Sequence, residues 1–247
     1  MLYEDVKAML EKRGQEQLLK YYDGLSDSDK EELLCNIEKI DFSVLDMLSS
    51  PEMKQVRGVI EPLSALGMDE INAKKDRYNA VGLDAVRKGR VGAILLAGGQ
   101  GTRLGFDRPK GTYNIGVNRE LYIYECLINN LMDVVKESKS WVPIAVMTSN
   151  INHEDTVKFF KEHGYFGYNS EYVYFFMQDM APAADYNGKI YLESEKKPAM
   201  SPNGNGGWFT SFVNAGLLGE FRKYGVEWLN VFAVDNVLQR IADPCFV

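Results

Sequence analysis

Four runs of almost continuous apolar residues decide the fold class of this chain: VGAILLA at 91–97, WVPIAVMT at 141–148, YVYFFM at 172–177 and WLNVFAV at 228–234. A strand with one wet face alternates apolar and polar residues. Runs without alternation are strands covered on both faces, as in parallel sheets. The segments between them carry helical periodicity. Leu121, Tyr124, Leu127, Ile128, Leu131 and Val135 make one helical face, and Val157 and Phe160 mark a shorter helix over 153–162. Phe209, Phe212, Val213 and Leu217 make another face. Strands alternating with helices predict βαβ units and a mostly parallel α/β sheet flanked by helices.

The first 88 residues read differently. Residues 3–22 and 27–40 are charge-rich, with Val6, Met9 and Leu10 at helical spacing in the first and Leu33, Leu34 and Ile37 in the second. Ser26 is placed to cap the second helix, ahead of Asp27 and Asp29, whose charges suit a helix N-terminus. After Pro51, Gly58, Pro62 and Gly67 punctuate the chain, a third helix is expected from Met68 to about Lys88. The expected organisation is an N-terminal helical lobe over 1–88 and an α/β domain over 89–247. A chain of 247 residues that is 45% hydrophobic has material for one large core and a smaller appendage.

A net charge of −7 sets up a field that repels polyanions, which argues against nucleic acid or an anionic membrane surface as partner. Cys35, Cys126 and Cys245 are odd in number and none has a neighbour at metal-ligand spacing, so they read as buried thiols in a reducing cytosol. No basic, apolar, small-residue progression opens the chain, and no run reaches the roughly 18 apolar residues of a membrane span. A soluble cytoplasmic protein is expected. Its oligomeric state is not legible.

The chemistry concentrates in LAGGQGTRLGFDRPKG at 96–111, where the first strand runs into glycines, an Arg and a Pro-Lys pair. Gly98, Gly99 and Gly101 let consecutive backbone N–H groups approach phosphate oxygens, and Arg103 and Lys110 supply full positive charges. Two familiar loops fail on spacing. A dinucleotide fingerprint counted from Gly99 needs glycine where Leu104 stands, and a P-loop needs glycine where Pro109 stands. What remains is G-x-G-T-R followed six residues later by Pro-Lys.

Ligands of open α/β sheets bind beyond the carboxyl ends of the strands. Gly98 to Lys110 follow the first strand, Thr148 to Asn150 the second, Gln178 the third and Asp235 the fourth, which argues for one shared site. The Gln178 amide both donates and accepts, as the O4 and N3–H of uracil require; read alone, it is more readily a strand end turned to water. MSPNGNGG at 200–207 offers N–H groups ahead of a helix N-terminus. Asp235, at a buried strand end, needs a partner charge or a metal.

The string LAGGQGTRLG with PKG resembles the sugar nucleotidyltransferases, above all the eukaryotic-type UDP-sugar pyrophosphorylases that act on UDP-N-acetylhexosamines. The resemblance covers most of 91–247, including MTSNINHEDTVKFFKEHGYFG and VDNVLQRIADPCF. It implies a Rossmann-like, glycosyltransferase-A-like nucleotidyltransferase fold and makes 89–247 a nucleotide-binding catalytic domain. It also implies an activity: UTP and a sugar 1-phosphate, foremost N-acetylglucosamine 1-phosphate, give a UDP-sugar and pyrophosphate. Within that pattern Arg103 and Lys110 are catalytic, and Leu96, Ala97, Gly98, Gly99, Gln178 and Gly204 bind nucleotide. Q-x-M-x-P-A marks Gln178 as reader of the base. P-x-G-N-G-G places Asn205 on the sugar, where glucose-specific relatives usually carry His. The aspartate of VDN, Asp235, holds Mg²⁺ or Mn²⁺. Two departures bear on the sugar: YNIGVNRE stands where many members have Y-D-x-G and a Leu-Pro-Ser turn, and Trp208 stands where a smaller residue is usual. Family members continue past ADP-x-F, and the expectation is that further sugar contacts, a second phosphate-binding Lys and more sheet lie there. The rival readings are a glucose or galactose 1-phosphate uridylyltransferase and a nucleotide-binding module without turnover.

Overall fold

In a computed structural model of the chain, residues 2–43, 45, 59 and 61–247 are described. Pro51 and Gly58 lie outside them. The chain divides into two compact units that interleave along the sequence: Met1–Pro62 with Met180–Asn203, and Leu63–Asp179 with Gly204–Val247. The boundaries therefore differ from the expected 1–88 and 89–247. Residues 63–88 join the sheet-bearing unit, and an excursion after the third strand joins the N-terminal one. Hydrophobic periodicity locates helices but does not say which core a helix covers.

In the N-terminal unit, helices Tyr3–Lys12 and Asp27–Glu38 bury Val6, Leu10, Leu33 and Ile37 in a core shared with Ile190. Ser26 caps the second helix, its Oγ accepting from Asp29 N at 3.3 Å. The first helix stops at Lys12 rather than running to 22, because Gly14 takes φ +61°, a left-handed turn that ends a helix. The Gln15 amide then binds the excursion on both sides, donating to Gly188 O at 2.7 Å and accepting from Ile190 N at 3.0 Å.

The larger unit holds a four-stranded parallel sheet: β1 Val91–Leu96, β2 Ile144–Thr148, β3 Val173–Met177 and, after four short strands, β8 Trp228–Ala233. The short strands are β4 Met180–Pro182, β5 Leu192–Ser194, β6 Lys197–Pro198 and β7 Met200–Pro202. The sheet order is β3-β2-β1-β8. Ala93 and Leu95 pack with helices Ile123–Ser138 and His153–Glu162 on one face. Ile94, Ala145, Met147 and Phe176 pack with Phe212, Leu217 and Phe221 on the other. Successive side chains of a strand point to opposite faces, so both faces must be apolar. The expected face of Phe209, Phe212, Val213 and Leu217 is only partly realised. Phe209 is 48% exposed, and the segment splits at Gly216 into helices Trp208–Asn214 and Leu217–Lys223. The helix expected over 68–88 is likewise two, Met68–Ala73 and Lys75–Arg87.

Among the described residues no helix is long and apolar enough to cross a membrane. The cysteines are free, and Cys35 is exposed rather than buried as expected, while Cys126 and Cys245 are half-buried.

Candidate active site

The chain runs outward from β1 to β2 to β3 and then returns to place β8 on the other side of β1. Strand order therefore reverses between β1 and β8, which is where an open α/β sheet opens a crevice. The strand ends are level. Leu96 pairs with Met147 on one side and Ala233 on the other, and Val234 N donates to Leu96 O at 3.1 Å.

The segment after β1 closes on itself. Gly101 N donates to Arg108 O at 3.0 Å and Lys110 N to Gly99 O at 3.3 Å, which brings Lys110 beside Gly99. Among the described residues, the N–H groups of Gly98, Gly99 and Gln100 donate to no acceptor. Consecutive N–H groups without internal partners form an anion-binding concavity. Two carbonyls beside them, those of Ala97 and Gly99, are held. Asn152, fully buried, donates from Nδ2 to Ala97 O at 3.0 Å and to Gly99 O at 3.3 Å, while its Oδ1 accepts from Ser149 N at 2.8 Å. Sequence reasoning stopped at Asn150. An Asn directly ahead of a helix has the signature of an N-cap, yet Asn152 makes no side-chain bond to its own helix.

Gln178 is buried at 7% exposure and lies against Gly98. A Cβ on Gly98 would stand 2.3 Å from Gln178 Nε2, so only glycine allows this approach. Among the described residues no hydrogen bond reaches the Gln178 amide, although its backbone N donates to Thr148 O at 2.8 Å. The residue is buried but its amide N and O are not sealed from solvent, so these polar atoms remain available to a ligand. The next residue ties this strand end to the 204–207 turn: Asp179 N donates to Ser211 Oγ at 2.9 Å, and Ser211 Oγ donates to Gly207 O at 3.0 Å. Gly204 has φ +72° and ψ −165°, a conformation that is essentially glycine's alone. Asn205 opens the short turn Asn205–Gly207 and is exposed. The helix that follows has only seven residues, so the anion-favouring terminus expected there is weak.

Asp235 lies two residues beyond β8 with its side chain 65% exposed, and its carboxylate pairs with Lys110 Nζ, whose side chain is 19% exposed. The expectation of a carboxylate at a buried strand end is thus corrected. Turning outward after Val234 exposes the group, and lysine is its partner. Among the described residues no three acidic, His or Cys side chains cluster as a metal site. One exposed carboxylate fits Mg²⁺ only as an ion carried largely by phosphate oxygens and water. Arg103, in the turn Thr102–Leu104, is exposed.

Beneath the Lys110–Thr112 turn lies Tyr124, fully buried; a Cβ on Gly111 would reach within 2.2 Å of its ring. Burial pushes its phenol up to about 12, and the Thr156 hydroxyl offsets only part of that. Neither hydroxyl has a partner at ordinary hydrogen-bond geometry. The histidines are half-buried and bonded: His153 Nδ1 lies 2.7 Å from Thr148 Oγ1, and His163 Nδ1 2.8 Å from Phe159 O.

Residues 51–247 match the model of a protein family described as UTP--glucose-1-phosphate uridylyltransferase. The chain belongs to this family. A UDP-N-acetylglucosamine pyrophosphorylase of Saccharomyces cerevisiae is 37% identical over 98% of the chain and 55% of its own length. The UDP-N-acetylhexosamine pyrophosphorylase-like protein 1 of Mus musculus is 32% identical over 98% and 52%. In structure the chain is similar to a Trypanosoma brucei UDP-N-acetylglucosamine pyrophosphorylase solved with an inhibitor, with a TM-score of 0.76 and 28% identity over 100% of the chain and 54% of that protein. A Leishmania major UDP-glucose pyrophosphorylase, at 18% identity and a TM-score of 0.58, shares the fold. The chain spans about half the length of these relatives.

Proposed function

We propose that this member of the uridylyltransferase family carries the nucleotide site of an enzyme that converts UTP and N-acetylglucosamine 1-phosphate to the UDP-sugar and pyrophosphate. The observation that carries the reading is the buried, unpartnered Gln178 amide pressed on Gly98, beside the free N–H groups of Gly98, Gly99 and Gln100. One end reads a base with adjacent donor and acceptor, as in uracil; the other takes phosphate. The names of the relatives favour the N-acetylated sugar.

In the reaction, an oxygen of the sugar phosphate attacks the α-phosphorus of UTP. The bond from that phosphorus to the bridging oxygen breaks, and pyrophosphate leaves with the electron pair. The nucleophile is already an anion, so no general base is required. Catalysis is positioning and charge neutralisation. Leu96 and Ala97 set the floor of the loop, Gly98 and Gly99 admit the phosphates, and Lys110 and Arg103 neutralise the triphosphate and the departing pyrophosphate. Gly204 lies along the nucleotide and Asn205 contacts the sugar. Asp235 would hold Mg²⁺ or Mn²⁺ together with phosphate oxygens, and the ion would spread the charge developing on the leaving group. Free thiols accord with a cytoplasmic setting.

Pyrophosphate release is the test, with UTP, Mg²⁺ and, in parallel, N-acetylglucosamine, glucose and galactose 1-phosphates. Release with the N-acetylated sugar alone supports the reading. Release with glucose or galactose 1-phosphate instead moves the specificity, and UTP binding without release makes the 247-residue chain a nucleotide-binding module.

A further inference from the structure

We propose that Asn152 is a positioning residue for the nucleotide loop, acting through the two carbonyls it holds. This rests on the uridylyltransferase reading of the same site. The Asn152 side chain is fully buried and uses both faces of its amide: Nδ2 binds Ala97 O and Gly99 O, and Oδ1 takes Ser149 N. In a trans peptide the C=O of one residue and the N–H of the next point in opposite directions. Holding Ala97 O therefore aims the N–H of Gly98 away from Asn152, and holding Gly99 O does the same for the N–H of Gln100. Those are two of the N–H groups without an internal acceptor. Gly99 O also accepts from Lys110 N, so the same carbonyl fixes the stem of Lys110.

Glycine peptides rotate at little cost, since both signs of φ are open to them. An untied loop at 98–101 would turn carbonyl oxygens as readily as N–H groups toward an anion. Asn152 removes that choice. It is carried by the β2 side of the sheet, its own acceptor occupied by Ser149, so the β1 loop is referenced to a buried neighbour rather than to itself. Its location in the bend between β2 and helix His153–Glu162 explains why the side chain faces the loop instead of capping the helix.

Binding of UTP and of uridine separates this role from a general one, because uridine lacks the phosphates but keeps the base. The variants are Asn152→Asp, which turns a carboxylate oxygen onto two carbonyls, and Asn152→Ala, which only removes the bonds. Calorimetry follows UTP and ligand-observed NMR follows uridine. The expected result is UTP weakened on the order of tenfold or more, as for the loss of two hydrogen bonds, with Asp worse than Ala and uridine binding unchanged. Retained uridine binding also reports a folded site. Two outcomes overturn the proposal: UTP binding equal to wild type in both variants, or UTP and uridine lost together in both. A wild-type chain that binds neither ligand overturns the uridylyltransferase reading itself.

Discussion

Lys110 Nζ is paired with the carboxylate of Asp235, 125 residues away in sequence, across the β1–β8 boundary where the strand order reverses. The lysine is mostly covered and the aspartate mostly exposed. Each is positioned by a strand end rather than by the other, so the pair contributes little to folding, and in the proposed reading its charges serve phosphate and metal.

Replacing Lys110 by Ala, or Asp235 by Asn, should therefore leave the fold intact, with stability lowered by about 1 kcal/mol, the upper end for a pair whose carboxylate lies in solvent. Turnover should fall on the order of 10²- to 10³-fold, as for loss of one charge-stabilising group. Thermal melting and pyrophosphate release on the same samples check both halves; full activity in Lys110→Ala would sink the assignment.

Gly98→Ala drives a methyl into the Gln178 amide, since the Cβ position is 2.3 Å from Nε2. The glutamine must swing aside, which in the proposed reading takes it off the base. We expect the preference for UTP over CTP to drop on the order of tenfold, in line with one or two lost hydrogen bonds. Gln178→Ala should do the same without the steric cause. Competition between the two triphosphates measures it, and an unaltered preference in both variants removes Gln178 from base recognition.

Asn205 is exposed, so Asn205→His should change stability by no more than about 0.5 kcal/mol. Its expected effect is on selectivity: a lower ratio of N-acetylglucosamine 1-phosphate to glucose 1-phosphate use. Paired kcat/KM values test this, and an unchanged ratio would place sugar selectivity elsewhere.

The phenol of Tyr124 rises from 10.0 to about 12 on burial. A raised value means that its contribution is fully present below pH 10 and is lost as pH rises toward 12, because only the unfolded chain ionises in that window. The loss amounts to as much as about 3 kcal/mol by pH 12. Tyr124→Phe should show a smaller alkaline loss than wild type, while near pH 7 it should be neutral or slightly stabilising, since the hydroxyl has no partner. Denaturant melts from pH 8 to 11.5 on both proteins give the difference; parallel curves would refute it.

The parallel sheet was legible because burial on both faces leaves continuous apolar runs, and the central strands Val91–Leu96 and Ile144–Thr148 are such strands, whereas Trp228–Ala233 at the sheet edge is apolar but only partly buried. The Gly98–Lys110 loop was legible because glycines and cations at fixed spacing follow one of them. Asn152 was not. Its sequence context is that of a helix cap, and only the position of β2 beside β1 turns its amide onto Ala97 and Gly99. The partner of Asp235 was equally hidden, since nothing local to VDN points to a lysine in another loop. Unit boundaries were misplaced for a similar reason: Gln15 binds Gly188 and Ile190, contacts between segments more than 170 residues apart.

By itself the sequence determined the four strands of the parallel sheet, the helices between them and the chemical inventory at the strand ends, because periodicity, glycine content and charge are local properties of a chain; the short strands between Met180 and Pro202 carry no such run. Tertiary structure alone decided which of those ends meet. Strand order set Lys110 on Asp235 and Gln178 on Gly98, because hydrogen-bonded pairing joins segments by their position in the sheet and not by their distance along the chain.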